Sequence, residues 1–247
     1  MQNFLKKLDL DVYVTEFKEL FARDKEIFLQ GDSKLHFKRL NELSLIEFNP
    51  PPVIKDLNSS LMHLGKQGIL HLEQSFEFIK ICMYFKYLKS LKFEESLKEW
   101  LLKIEIPQAI LELFEYFDEK GEIKESIDER LVNLNLALKM KKESLIAEFK
   151  KLTYTKNLSP YLIDTQIHLI NGMEALLLRG GFNHALKAKI IGRSSGGGFY
   201  VVPLSVEKIQ SQIDEIKDAK EEIFYEYAKK ISLIFSKNLM FLKFINN

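Results

Sequence analysis

Basic side chains cluster past the midpoint of the sequence, and their type and density could support binding chemistry. Residues 165–203 hold four basic side chains against one acidic, a local charge of +3, and residues 139–156 hold six against two, a local charge of +4. The whole chain has a net charge of only +1, so the bias is local. Exposed Lys and Arg side chains can neutralise phosphates, which gives sequence-independent, salt-sensitive binding of nucleic acid. The alternative is a solvated surface with ordinary lysines.

From these two stretches we select ten candidate residues for contact with a nucleic-acid backbone. Seven are basic, one is a histidine and two are serines of a glycine-rich loop. They are Arg179, His184, Lys187, Lys189, Arg193, Ser194, Ser195, Lys150, Lys151 and Lys156. Because such contacts go to phosphates and not to base edges, we expect binding without sequence specificity.

The glycine-rich segment 194–198 allows two interpretations. A run of flexible glycines can direct several backbone N–H groups at one anion, as a phosphate cradle does. The segment leads into a predicted strand, so it lacks the helix N-terminus that strengthens such sites. A hairpin loop is the other interpretation, and both stay open on the sequence alone.

Motifs for catalysis are absent from the sequence. Neither the G-x-x-x-x-G-K-[ST] loop nor a G-x-G-x-x-G after a strand occurs, and the five histidines lack the spacing of metal ligands. The acidic residues alternate with lysines as they do on solvated helix faces. We therefore predict that this chain is not an enzyme and holds no cofactor or metal of its own.

The single cysteine, Cys82, lies in the apolar run 78–85 and is predicted to be a packed, unreactive thiol. One cysteine allows no internal disulfide, which fits a reducing, cytoplasmic location. No signal-peptide pattern and no apolar stretch of about 18 residues occurs, so we expect no membrane partner.

Two long helical patterns must position the candidates. Apolar residues recur in steps of three, four or seven along 131–152, with a gap at 141–142 where the stripe is expected to be wet. The same steps recur along 206–234. Between the two patterns the hydrophobic period changes to that of strands, and Asn171-Gly172 is the favoured two-residue hairpin turn.

We predict a mainly α-helical fold: a helical core with two long antiparallel helices and a small antiparallel β insert at their tip. The core itself begins with two or three short helices in residues 1–48, which the prolines at 50–52 end. The predicted domains are 1–126 for the core, 127–164 for the first long helix and its approach, 165–203 for the insert and 204–247 for the returning helix.

Four segments carry a resemblance to a known family, and the first of them, Gly68-x-Leu70, is similar to part of that family's helical core. The segment 117–126, Phe-Asp-Glu-Lys-Gly-Glu-Ile-Lys-Glu-Ser, followed by Leu131, resembles the start of the first long helix in the MutS-II proteins, bacterial relatives of the MutS mismatch-repair ATPases. Asn171-Gly172 resembles the turn of that family's clamp hairpin. The stretch 195–203, which begins Ser-Gly and ends Phe-Tyr-Val-Val-Pro, is similar to the exit from the clamp. The motifs follow the family's order and cover most of the chain.

The resemblance implies that the long helices are levers, that the insert is a DNA-facing clamp, and that the chain is the N-terminal core, lever and clamp region of a longer protein. Full-length members continue into an ATPase that binds ATP and Mg²⁺ and forms a homodimer, and usually into an Smr endonuclease domain. The family is associated with binding branched DNA and suppressing recombination, while some members split collided ribosomes. The expected partner is DNA; a ribosome-engaging arm that contacts rRNA and a structural spacer are the alternatives.

The resemblance also bears on single positions. Arg179 matches a basic position of the family at the end of the second clamp strand, which implies a role in backbone contact. The family tends to have a basic residue on each side of the hairpin turn, where this sequence has Ile170 and Met173. The turn itself is therefore not expected to contact phosphates. The other basic candidates rest on local charge alone.

Overall fold

The computed structural model describes residues 7–23 and 31–246, and in it the chain divides into two compact units. Unit 1 combines Met1–Lys124 with Phe224–Asn247, and unit 2 is Glu125–Ile223. Unit 2 contains all ten candidate residues, so any site that they form lies within it.

Helices form most of the described chain. The helices named here are α1 (Asp11–Glu19), α2 (Ser33–Ser44), α3 (Asn58–Gly65), α4 (Leu72–Ser90), α5 (Glu95–Leu102), α6 (Gln108–Leu111), α7 (Glu129–Thr153), α8 (Leu204–Lys237) and α9 (Leu239–Asn246). Helix α6 begins directly after Pro107, and the chain continues as the 3-10 helix Glu112–Tyr116. The parts of the predicted early helices at 1–6 and 24–30 lie outside the described residues.

The core of unit 1 joins the early part of the chain to its last helices. Phe78 of α4 and Phe235 of α8 are both fully buried, and their rings meet edge to face with centroids 5.5 Å apart. The backbone N–H of Leu70 donates to the hydroxyl of Ser232 at 2.9 Å, in a buried hydrogen bond. Because burying an unpaired N–H is costly, this bond favours the same pairing of segments as the aromatic contact.

The core of unit 2 joins α7, the sheet and the first part of α8. Leu131, Leu145 and Phe149 of the predicted α7 stripe are buried. Where that stripe has its gap, the ammonium of Lys141 donates to the amide oxygen of Gln212 at 2.8 Å. A polar contact therefore replaces the apolar one at this point of the stripe. The buried cluster comprises Leu145, Phe149, Leu158, Ala175, Leu176, Leu178, Phe182, Val201, Val202, Val206 and Ile213.

The β insert is a four-stranded sheet in the order β1-β2-β4-β3, with every neighbouring pair antiparallel. Its strands are β1 (His168–Ile170), β2 (Met173–Leu178), β3 (Ala188–Arg193) and β4 (Phe199–Pro203). Asn171 and Gly172 have φ values of 51° and 79°, so the predicted hairpin turn between β1 and β2 is confirmed. Because β4 pairs with both β2 and β3, the chain must cross from the end of β2 to the start of β3, and it does so through the 3-10 helix Phe182–His184.

The predicted fold class is confirmed at the level of its elements: the chain is mainly helical and carries a small antiparallel sheet. The lengths and mutual arrangement of the proposed levers stay predictions. None of the helices in the described ranges combines the length and apolarity needed to cross a membrane.

Candidate nucleic-acid interface

One end of the sheet brings together the ends of three strands. Leu178 at the end of β2, Phe199 at the start of β4 and Arg193 at the end of β3 stand in register. We call this the loop end of the sheet, because the 194–198 loop closes it. Arg179 directly follows Leu178, and neighbouring strands lie about 4.8 Å apart, so the backbones of Arg179 and Arg193 are about 10 Å apart at this end.

Both arginines at the loop end are exposed, and neither forms an ion pair with a described residue. The guanidinium of Arg193 lies 5.0 Å from the centre of the Phe199 ring, a cation–π contact that restrains the side chain. The backbone N–H of Arg179 donates to the carbonyl of Tyr161 at 2.8 Å, which fixes the end of β2. Exposed guanidinium groups with no carboxylate partner suit contact with phosphate oxygens.

The 194–198 loop is closed by its own hydrogen bonds. The Ser194 N–H donates to the Gly198 carbonyl at 2.9 Å, and the Gly197 N–H donates to the Ser194 carbonyl at 3.1 Å. The Gly198 N–H donates to the Ser194 hydroxyl at 3.0 Å. Since these N–H groups serve the loop itself, the geometry favours the hairpin-loop interpretation over the phosphate cradle. Ser194 is half-buried and Ser195 is exposed.

Lys187 and Lys189 lie at the opposite end of β3 from the loop end. The Lys187 carbonyl accepts the N–H of Leu204 at 3.0 Å, and the Lys189 ammonium lies 3.5 Å from the carboxylate of Glu207. Lys189 lies four positions before Arg193 along the strand, a distance of about 13 Å. The structure therefore does not group these lysines with the two arginines.

The C-terminal end of α7 is linked to the loop end by tight turns. The Leu158 N–H donates to the Thr155 carbonyl at 3.0 Å, and the Tyr161 N–H donates to the Leu158 carbonyl at 2.9 Å. Each such turn spans less than about 7 Å between its end Cα atoms, so Thr155 lies within about 14 Å of Tyr161. Tyr161 is in turn hydrogen-bonded to Arg179. Lys156 lies on this path, and it is exposed, as are Lys150 and Lys151 in the last turn of α7.

Two of the candidates have a structural reason for their positions, and a third is not placed with the others. Lys150 and Lys151 occupy the last turn of α7, where positive charge is favourable beside the exposed carbonyls. Lys151 also lies 3.7 Å from the carboxylate of Glu148. His184 is exposed on the 3-10 helix between β2 and β3, and no contact among the described residues places it at the loop end.

The structure shows two features that sequence reasoning missed. Tyr154 caps the end of α7 with 78% of its surface exposed, and its position inside a run of lysines is the signal that could have identified it. On the sheet, the His168 imidazole lies 3.0 Å from the Asp164 carboxylate and packs on Tyr200 with ring centroids 5.3 Å apart. Among the described residues, no group of three or more His, Cys, Asp or Glu side chains could hold a metal ion.

Comparison with known proteins finds curated relatives that align with nearly the whole chain. The chain is similar to Endonuclease MutS2 of Helicobacter pylori: the alignment over 248 residues covers 97% of this chain and 32% of that protein, at 35% identity. The protein of a second strain matches over the same shares at 34% identity. The similarity supports a MutS-like family. The chain spans about a third of the length of these curated relatives. No family model matches the chain.

The coarser part of the predicted resemblance, to MutS-related proteins, is thus supported by this similarity. Both relatives are named endonucleases, which is consistent with the prediction that longer relatives are enzymes. The quoted Asp-Glu-Lys-Gly-Glu pattern also has a structural explanation, because one Asp118 oxygen accepts the N–H groups of Lys120 and Glu122, both at 2.9 Å. Gly121 completes this turn with a φ of 86°.

Proposed function

We propose that this MutS-like chain is a non-catalytic module that contacts the backbone of branched or duplex DNA without reading its sequence. The contact surface is the loop end of the sheet together with the end of α7. What supports this is that Arg193 ends β3 and Arg179 directly follows β2 at the loop end, and that Lys156 lies on the turns leading from α7 to Tyr161, the hydrogen-bond partner of Arg179. All three side chains are exposed and without an ion pair to any described residue. Such a surface gains affinity by neutralising phosphates and releasing their counterions.

The charge of the rest of unit 2 supports this location. Along 204–223, the part of α8 in unit 2, six acidic side chains stand against three basic, a local charge of −3. A polyanion is repelled by that helix and attracted to the basic stretch 139–156 and the loop end. Charge is therefore distributed unevenly along the sequence of unit 2, although the chain as a whole is nearly neutral.

We further propose that α7 and α8 are antiparallel levers that carry this surface. Lys141 of α7 contacts Gln212, and Lys220 of α8 donates to Asn135, so later residues of α7 meet earlier residues of α8. In this proposal the chain is the N-terminal core, lever and clamp region of a longer cytoplasmic protein. The remaining part would bind ATP and Mg²⁺, form the homodimer and carry any nuclease activity.

The test is charge reversal at the loop end in the 247-residue chain, with Arg179→Glu, Arg193→Glu and Lys156→Glu combined. A matched control makes the same change of net charge at three exposed lysines of unit 1. We expect the loop-end variant to bind branched DNA at least about 30-fold more weakly, and the control to stay within about threefold of the unaltered chain. Fluorescence anisotropy with a labelled junction measures both. The control residues are Lys66, Lys98 and Lys103.

Each alternative predicts a different outcome of the same measurement. Equal binding by the loop-end variant and the control would contradict the assignment of the surface. A structural spacer would show no affinity of the unaltered chain for DNA or RNA at moderate salt. If the target is ribosomal RNA, intact ribosomes will displace branched DNA from the unaltered chain and the loop-end variant will fail to bind ribosomes.

A further inference from the structure

Tyr154 is an exposed aromatic ring set among the lysines at the end of α7. The side chain is 78% exposed, in contrast to the buried apolar residues of the same helix. Lys150 and Lys151 precede it and Lys156 follows it, all exposed. Single exposed apolar residues are common, so the observation that points to binding is the combination of an exposed ring with basic neighbours, which suits a base-bearing anionic ligand.

The backbone around this ring is held in place before any ligand binds. The Tyr154 N–H donates to the Lys150 carbonyl at 3.2 Å. The hydroxyls of Thr153 and Thr155 donate to the carbonyls of Lys150 and Lys151, each at 2.9 Å. These bonds satisfy carbonyls that the end of a helix leaves without partners, and they order the turn that carries the ring. A ring on an ordered turn loses little freedom when it stacks on a ligand.

Tyr225 of α8 provides an internal comparison. It is 60% exposed and is flanked in the sequence by Glu221, Glu222 and Glu226. A polyanionic ligand is repelled by those carboxylates, whereas the lysines around Tyr154 attract it. Exposure alone therefore does not distinguish the two tyrosines; their electrostatic surroundings do.

We propose that Tyr154 stacks on an unpaired base of the nucleic acid whose phosphates the neighbouring lysines and the loop end contact. This inference rests on the proposed function and refines it by assigning to Tyr154 a preference for DNA with unpaired bases, as in a flap or a single-stranded end, over fully paired duplex. In a fully paired duplex the faces of the bases are already stacked on each other, so the ring has no partner there. Base–aromatic stacking is tolerant of sequence, as is the phosphate contact.

The experiment compares two DNA substrates, a fully paired duplex and the same duplex with a short unpaired flap, by anisotropy at one salt concentration. We expect Tyr154→Ala to weaken binding of the flap substrate at least about fivefold while binding of the duplex changes by less than about twofold. Tyr154→Phe, which keeps the ring, should bind both substrates as the unaltered chain does. Tyr225→Ala, the matched control, should also leave both affinities unchanged.

The outcomes separate this inference from the function on which it rests. If Tyr154→Ala binds both substrates as tightly as the unaltered chain, or loses affinity for both equally, stacking by Tyr154 is overturned while backbone binding stands. If the unaltered chain binds neither substrate, both are overturned. Thermal unfolding followed by circular dichroism should be the same for the alanine and phenylalanine variants, since the ring is not part of the core.

Discussion

At the scale of single residues, burial determines the reactivity of the Cys82 thiol. The thiol is fully buried in unit 1, as its place in the run predicted. Burial in apolar surroundings disfavours the thiolate and raises the pKa of Cys82 from 9.0 to about 12. Because the thiolate is the reactive form, the folded protein should not be alkylated at neutral pH.

The raised pKa of Cys82 predicts a dependence of stability on pH. In the unfolded chain the thiol ionises near its ordinary pKa, whereas in the folded chain it does not, so stability is lost as the pH rises from about 9 toward 12. Between pH 8 and pH 10.5 the loss from this group should be about 2 kcal/mol. Urea denaturation at the two pH values should show a larger loss for the unaltered chain than for Cys82→Ala. Equal losses would contradict the buried thiol.

The sequence indicated which basic residues of the candidate site are exposed, but not which of them lie close together. Local charge identified Arg179, Arg193 and Lys156 correctly as exposed basic residues. Charge counting could not show that Lys189 lies 3.5 Å from the carboxylate of Glu207, or that it lies at the far end of β3. Those facts depend on strand register, which contacts between distant residues decide.

At the scale of elements, hydrophobic period was a good guide to the helices and a partial guide to the sheet. The stripes along 131–152 and 206–234 fall within α7 and α8. The Asn171-Gly172 turn was predictable because its two residues tolerate positive φ. The insertion of β4 between β2 and β3 was not, because no local pattern records which strands become neighbours.

The turn at 118–122 is an element whose sequence requirement the structure explains. Gly121 has a φ of 86°, and a Cβ atom placed there would lie 2.3 Å from a ring carbon of Phe76. The Phe76 ring packs on Phe117 with centroids 5.3 Å apart, so it has little room to move. Gly172 has a similar φ of 79°, but no heavy atom lies within 4 Å of its Cβ position. Both glycines thus have a left-handed backbone conformation that would strain any L side chain placed there. They differ in how closely neighbouring side chains pack on them.

This comparison predicts unequal effects of the same substitution. Gly121→Ala should destabilise unit 1 by about 3 kcal/mol, the sum of left-handed strain and overpacking, whereas Gly172→Ala should cost unit 2 about 1 kcal/mol from strain alone. Trp100, the single tryptophan, lies in unit 1 and reports its unfolding by fluorescence. Its urea midpoint should fall for Gly121→Ala and stay nearly unchanged for Gly172→Ala. Similar midpoints for the two variants would show that Phe76 yields to the added methyl group.

At the scale of the whole molecule, an almost neutral chain conceals a strongly uneven charge distribution. Positive charge is concentrated in 139–156 and the insert, while the adjoining part of α8 is acidic. The sequence shows this imbalance without a structure. What it cannot show is that the chain after α7 returns to the end of β2, since that depends on the turns at 155–161 and on the Arg179–Tyr161 hydrogen bond.

The most direct test of the central claim is the salt dependence of DNA binding by the unaltered chain. Contacts from four or five basic side chains to phosphates predict that the logarithm of the association constant falls with the logarithm of salt concentration with a slope of about −4 between about 50 and 200 mM. The loop-end variant should show a slope shallower by about 2.7, since it lacks three of these contacts. A slope near zero for the unaltered chain, or the same slope for both proteins, would contradict a phosphate-binding surface at the loop end.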